Sequence, residues 1–222
     1  MAGSTGNTNY KETYFLHKEV TKIHGEPTYE TIHTSRLHKE IKANAASVPS
    51  NLGGEALGHL GLAITDGQYA LLSNAAFNRP VHPGQLVIPP NSTQAQIAAL
   101  KEQHEEQLRV FKEVLAVESA LRQQINGAID PTYLNAIRNR QTNAIVMTVS
   151  DIFHRHLYDI YGKVDKELLE TEREKVVKMT YDVSYPPDVV YEAIEDLLDL
   201  ATAADNPFSQ RQAVSMAFKI IN

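Results

Sequence analysis

Residues 93–126 read TQAQIAALKEQHEEQLRVFKEVLAVESALRQQIN, and this stretch decides the fold. Thr93 and Gln96 have the spacing of a capping box, in which a hydroxyl and an amide satisfy the free N–H groups of a helix start. From there Ile97, Leu100, His104, Leu108, Phe111, Leu115, Leu121 and Ile125 recur at helical spacing. Gly127 offers a stop. The pattern predicts one helix of roughly 30 residues, long for a globular protein.

Segments on the C-terminal side are punctuated in the same way. Asp130-Pro131 is a cap followed by a first-turn proline, and it opens a short helix with Tyr133, Leu134 and Ile137. Thr142 is placed to cap a helix carrying Ile145, Val149, Ile152, Phe153, Leu157 and Ile160, with Gly162 beyond it. Asp165 caps a helix with Leu168, Leu169, Val176 and Met179. Tyr185-Pro186-Pro187-Asp188 starts another with Val190, Ile194, Leu197, Leu198 and Ala201, which Asn206-Pro207 breaks. Ser209 caps a last helix with Val214, Phe218 and Ile221.

Toward the N-terminus, residues 10–24 read as a helix with Phe15, Leu16, Val20 and Ile23 on one side and Gly25 as its stop. Thr28 caps a second, whose inner face is Ile32, Leu37, Ile41 and Ala45. Gly53-Gly54, Gly58 and Gly61 mark a loop or a short broken helix, and Thr65 and Gln68 repeat the capping-box spacing ahead of Tyr69, Leu71 and Leu72. Pro80, Pro83, Pro89 and Pro90 forbid a regular helix across 74–92. Pro83-Gly84 suits the middle of a type II turn, which leaves room for one small β-hairpin between Val81 and Leu86–Ile88.

The 222 residues include no cysteine, so disulfides and cysteine-ligated zinc are excluded, and the composition suits a reducing cytosol. The N-terminus is small and polar, with no basic start and no apolar stretch, so no signal peptide is expected. No run of about 18 apolar residues marks a membrane span. The net charge of −6 is unevenly placed: residues 1–90 balance seven bases against seven acids, whereas 91–222 carry fourteen bases and twenty acids. Between Met179 and Gln210 there are seven acids and no Lys or Arg, a bias that repels phosphate.

Catalytic patterns are incomplete. His154 and His156 are two apart and point about 200° from each other on a helix. His33 and His38 are also badly spaced for one metal. Glu30 and His33 form a single Glu-x-x-His where di-metal bundles need two and further Glu residues. His104-Glu105-Glu106 lacks the second histidine of a zinc protease helix. The glycines of 53–61 come without a Walker lysine and read as turn or close-packing residues. No Gly-x-Ser-x-Gly elbow occurs. The carboxylates at 167–174 and 192–199 alternate with apolar residues at helical spacing, as on a solvated face. No catalytic, metal-binding or cofactor-binding residue is assigned, and the expectation is a protein that is not an enzyme. Tyr158, Tyr161, Tyr181, Tyr185 and Tyr191 cluster near helix ends and read either as a core rim or as a subunit interface.

The stretch Ala128-Ile129-Asp130-Pro131-Thr132-Tyr133-Leu134, then Ile152-Phe153 and Leu157-Tyr158-Asp159-Ile160-Tyr161-Gly162-Lys163-Val164, resembles the Gag polyprotein of copia-type LTR retrotransposons. Met179-Thr180-Tyr181-Asp182, residues 189–194 and 203–209, residues 21–30 and Pro49-Ser50-Asn51-Leu52-Gly53-Gly54 are similar to the diatom and algal variant of that family. The resemblance covers most of residues 20–222. It implies two helical capsid-like domains that assemble into shells enclosing the element's RNA. The family often carries a Cys-Cys-His-Cys zinc knuckle after the capsid region. Here there is no cysteine and the sequence ends at Asn222, so either the sequence stops before that tail or the gene is solitary and lacks it.

The expectation is therefore an all-α, two-part, capsid-like protein with a long central helix and at most one small hairpin near 80–88. A tail over 1–9 precedes an N-terminal domain over 10–127 and a C-terminal domain over 128–222. Its partner is itself, in shells or polymers held in the cytoplasm as particles. RNA contact is expected to be weak and to run through a tail absent here, with no membrane partner and no cofactor. The alternative is a helical adaptor or scaffold of Gag descent that binds other proteins without forming shells. Phe77, Val81, Leu86, Ile88, Tyr185 and Tyr191 are the candidate interface residues, because a proline-rich loop of this length is uncommon unless it binds something.

Overall fold

The computed structural model describes residues 9–33, 36–164, 166–182, 184, 186–204 and 206–221. Thr93 forms its capping box: its hydroxyl accepts from Gln96 N–H, the Gln96 side chain accepts from Thr93 N–H, and helix α5 runs from Gln94 to Ala128. The other helices are α1 (Tyr10–Thr13), α2 (Tyr29–His33), α3 (Leu37–Ser47), α4 (Asp66–Leu72), α6 (Pro131–Leu134), α7 (Val149–Asp151), α8 (Lys166–Lys178), α9 (Asp188–Ala203) and α10 (Gln210–Ile221). The fold is all-α, and among the described residues no strand forms, only an isolated antiparallel bridge between Arg138 and Ile145.

The residues fall into two units, Met1–Pro27 with Thr31–His154, and Thr28–Glu30 with Arg155–Asn222. The division lies at His154/Arg155, beyond the 127/128 boundary expected from the glycine stop. The connection after α5 stays with the first unit because its backbone is tied there. Ala128 C=O accepts from Ile23 N–H at 2.8 Å, Val149 N–H reaches Glu118 at 3.4 Å, and Arg122 donates to Met147 C=O at 3.3 Å.

In the first unit the C-terminal half of α5 is the spine. Val114, Val117, Leu121, Ile125 and Ala128 are buried on it, and α3 packs alongside with Leu37, Ile41 and Ala45. Fully burying such a side chain contributes about 1.5–3 kcal/mol. The helix expected over 10–24 is confined to α1. Its continuation leaves the helical conformation because a buried amide network holds it. Fully buried Asn44 accepts from His17 N–H at 2.7 Å and donates to His17 C=O at 2.8 Å and to Gln124 Oε1 at 2.9 Å. Gln124 Nε2 donates to His17 C=O at 2.8 Å, and Glu40 accepts from both Thr21 N–H and its hydroxyl. The helix expected after Thr28 is likewise split, with Arg36 at φ +62° ahead of α3.

Thr142 does not cap a helix. Asn139 Oδ1 accepts from the N–H groups of Gln141 and Thr142, which makes a tight loop closed by the Arg138–Ile145 bridge, and Thr148 caps α7 instead. Beyond α7 the chain winds as a π-helix over Ile152–Tyr161. Gly162 N–H then donates to both Leu157 C=O (2.9 Å) and Tyr158 C=O (3.0 Å). A Cβ at Gly162 would stand 2.8 Å from Tyr158 Cα, so glycine is required there.

In the second unit α8, α9 and α10 pack pairwise. Leu169, Leu197, Leu200, Ala201 and Met216 form one buried cluster with Tyr29, and Val190, Ile194 and Ile220 form another. The expected Asp165 cap lies outside the described residues, whereas Ser209 caps α10 through Gln212.

Candidate functional site

The segment singled out in the sequence is an extended arm laid along α5. At its root Phe77 is buried, its ring 5.6 Å from Tyr69 and 6.4 Å from His59, against a Gly61 that has no room for a side chain there. Phe77, one of the candidate interface residues, therefore packs in the core of its own unit. Arg79 donates to Gly61 C=O at 3.0 Å and pairs with buried Glu118 at 3.4 Å. The His82 ring meets Phe111 edge-on at 5.1 Å, and His104 Nε2–H donates to Gly84 C=O at 3.0 Å. Glu118, Phe111 and His104 lie on one face at two-turn intervals, so the arm descends that face toward the N-terminus of α5.

The optional hairpin does not form. Gly84 has the φ of +74° that the turn needs, but its N–H is taken by His82 Nδ1 at 2.9 Å and its carbonyl by His104. Leu86 is half-buried and Ile88 exposed, while Val81 is 84% and Val87 77% exposed. The helix beneath is little better covered: the first buried residue of α5 is Val114, and Ile97, Leu100 and Leu108 are half-buried. In the second unit Tyr191 is 51% exposed, beside exposed Val189 on α9, and α10 exposes Val214 and Ile221. Tyr185 lies outside the described residues.

Among the described residues no group of three or more His, Asp or Glu side chains could hold a metal ion. His59 is buried, with Nδ1–H donating to Val48 C=O at 3.0 Å and Nε2 3.9 Å from Glu113. Glu113 is shared with Arg109, which also forms two hydrogen bonds to Glu106. The Glu106 hydrogen bonds hold Arg109 above its usual range, and the same contact holds Glu106 low. Burial, with Glu113 nearby, pushes the Tyr10 hydroxyl up. His38 stacks on Phe153 at 4.1 Å, and its Nε2–H donates to Ala63 C=O. His154 packs edge-on to His38, whereas His156 faces Tyr161. The side chains of Glu30 and His33 lie outside the described residues. Among the described residues no helix is long and apolar enough to cross a membrane.

Sequence reasoning passed over Glu118 and the Asn44–Gln124 pair. Glu118 had a legible signal, a lone carboxylate on the inner face of α5 between Val114, Val117 and Leu121. No protein-family model, no curated protein and no solved structure matches the chain.

Proposed function

We propose that this chain is a Gag-like structural protein that self-associates into shells or polymers and carries no catalysis. The likeness to copia-type Gag proteins supports the reading, and one observation carries it. The arm holds Val81, Val87 and Ile88 out in water along a helix half with no fully buried residue. Apolar surface left in water is unfavourable by about 25 cal/mol per Å². A second copy laid over the arm and the first half of α5 would cover a contiguous apolar face. RNA contact is weak in this reading and assembly does not depend on it, since the acidic second half repels phosphate. The expected place is the cytoplasm, as particles.

The test is sedimentation and negative-stain electron microscopy of the full chain, compared with a Val81→Ser/Val87→Ser variant. Shells, filaments or large oligomers that the double variant loses at unchanged melting temperature support the proposal. Phe77→Ser should lower the melting temperature first. A chain that remains monomeric at high concentration refutes self-assembly, and a small discrete species points to the adaptor alternative.

A further inference from the structure

An arginine-lined cleft in the first unit suits a ligand of opposite charge. Between Ser119 and Ser150 the sequence carries Arg122, Arg138 and Arg140, with Asp130 as its single carboxylate, against the acidic trend of the chain. Asp130 is already occupied, because its carboxylate accepts from Thr132 N–H at 2.8 Å and caps α6. The C-terminal half of α5 and the 138–145 loop border an open cleft of about 270 Å³. Its polar lining is Ser119, Arg122, Gln123, Asn126, Arg138 and Asn143; no carboxylate lines it. Every one of those side chains offers a hydrogen-bond donor, and two are guanidiniums.

The loop is built to hold its arginine still. Asn143 adopts φ +55°, and the backbone closes through Asn139 N–H to Ala144 C=O (2.8 Å) and Val146 N–H to Ile137 C=O (3.1 Å). Arg138 folds back, donating through Nη1 to Asn143 C=O at 2.9 Å and through Nη2 to Asn126 Oδ1. Both acceptors are neutral, and the covered Nε–H meets no acceptor. Among the described residues no carboxylate pairs with Arg138. Among the described residues the carboxylate paired with Arg122 is Glu118, at 4.0 Å, which it shares with the closer Arg79, and Arg122 Nη1 also donates to Met147 C=O at 3.3 Å. The lining thus brings two guanidiniums together with no carboxylate, and the neutral acceptors of Arg138 are ones that a tetrahedral oxyanion could replace with charge-assisted bonds.

We infer that the cleft between Arg122 and Arg138 is a binding site for a phosphate group. Its volume lies just under the roughly 300–1,000 Å³ of small-molecule sites, and fits a phosphate with part of whatever carries it. Free phosphate and an RNA phosphodiester share this chemistry. The site stands whether or not the chain self-assembles.

The experiment follows the Nε–H resonances of Arg122 and Arg138 by NMR on the full chain. Inorganic phosphate is titrated at constant ionic strength against chloride, and a 5′-hydroxyl single-stranded RNA is titrated in a second arm. The expected result is a saturable shift with phosphate and none with chloride. Because Arg138 also holds the loop, the variant is Gln123→Glu, an exposed and isosteric change that supplies a carboxylate to the lining. It should weaken binding at least tenfold at unchanged melting temperature. The same resonances moving with RNA assign the site to internal phosphodiesters; movement with phosphate alone assigns it to a free or terminal phosphate. No saturable shift with either probe overturns the inference, and so does a Gln123→Glu variant that binds as the native chain does.

Discussion

Asn44→Asp is the sharpest test of how the first unit is held together. The substitution keeps size and shape and replaces Nδ2 with an oxygen. In the native chain Nδ2 donates to His17 C=O at 2.8 Å and to Gln124 Oε1 at 2.9 Å, while Oδ1 accepts from His17 N–H. The variant keeps the last bond, loses the other two, and sets a carboxylate oxygen against two acceptors in a fully buried position. His17 C=O keeps Gln124 Nε2 as a donor at 2.8 Å, so Gln124 Oε1 is the buried acceptor left unmet, and that costs about 1–3 kcal/mol. An ionised carboxylate there adds to the loss. The sign with pH follows: burial without a cation raises the pKa of the introduced carboxyl, so the destabilisation is full at neutral pH and shrinks toward about pH 5, where a protonated carboxyl donates again. Urea unfolding at both pH values measures the loss, and amide exchange at His17 reports whether the 14–24 segment is released. A loss below about 1 kcal/mol at neutral pH, with His17 still protected, would refute the Asn44 amide network as the reason that segment leaves the helix.

Gly162→Ala should destabilise the second unit by about 1–3 kcal/mol, because the two atoms nearest the new methyl are Tyr158 backbone, which cannot swing aside; thermal unfolding by circular dichroism measures it, and an unchanged midpoint refutes the steric argument. Acidification should weaken the fold modestly. Glu19, Glu106 and Glu174 are held below the usual 4.5 by hydrogen bonds from Lys11, Arg109 and Lys178, and Asp130 below 3.8 by Thr132. Their contribution is present above those values and is lost as pH falls through the lowered ones, so Asp130→Asn should flatten the acid limb of a melting-temperature profile.

Helices with their own punctuation were legible. Thr93 with Gln96, Asp130-Pro131 and Ser209 mark starts that the backbone uses, since a cap acts within a few residues. Thr148 was the better choice over Thr142 for a local reason: Asp151 stands three residues on, and its N–H donates to the Thr148 hydroxyl. The 14–24 segment was misread because its apolar spacing is helical while its hydrogen-bond partners, Asn44, Glu40 and Gln124, lie far away in sequence. Phe77 was grouped with the arm by its proximity to the prolines, although its position is decided by Gly61 and Tyr69. Val81 and Ile88 are exposed, and the arginine cleft depends on a loop whose conformation comes from Asn139 and Asn143.

The uncovered half of α5 has a consequence for the kinetics of local opening. About 30 Å of helix precedes Val114, at 1.5 Å per residue, and none of its residues is fully buried. A helix in a protein draws most of its stability from tertiary packing, which this stretch largely lacks. The arm has no regular backbone partners of its own, yet touches this stretch through His82 on Phe111 and Gly84 on His104. Two weak elements that lean on each other open together, so amide protons across the first five turns of α5 should exchange in one cooperative step at well below the global unfolding free energy. Covering the arm would slow exchange throughout that helix, including residues that touch nothing new.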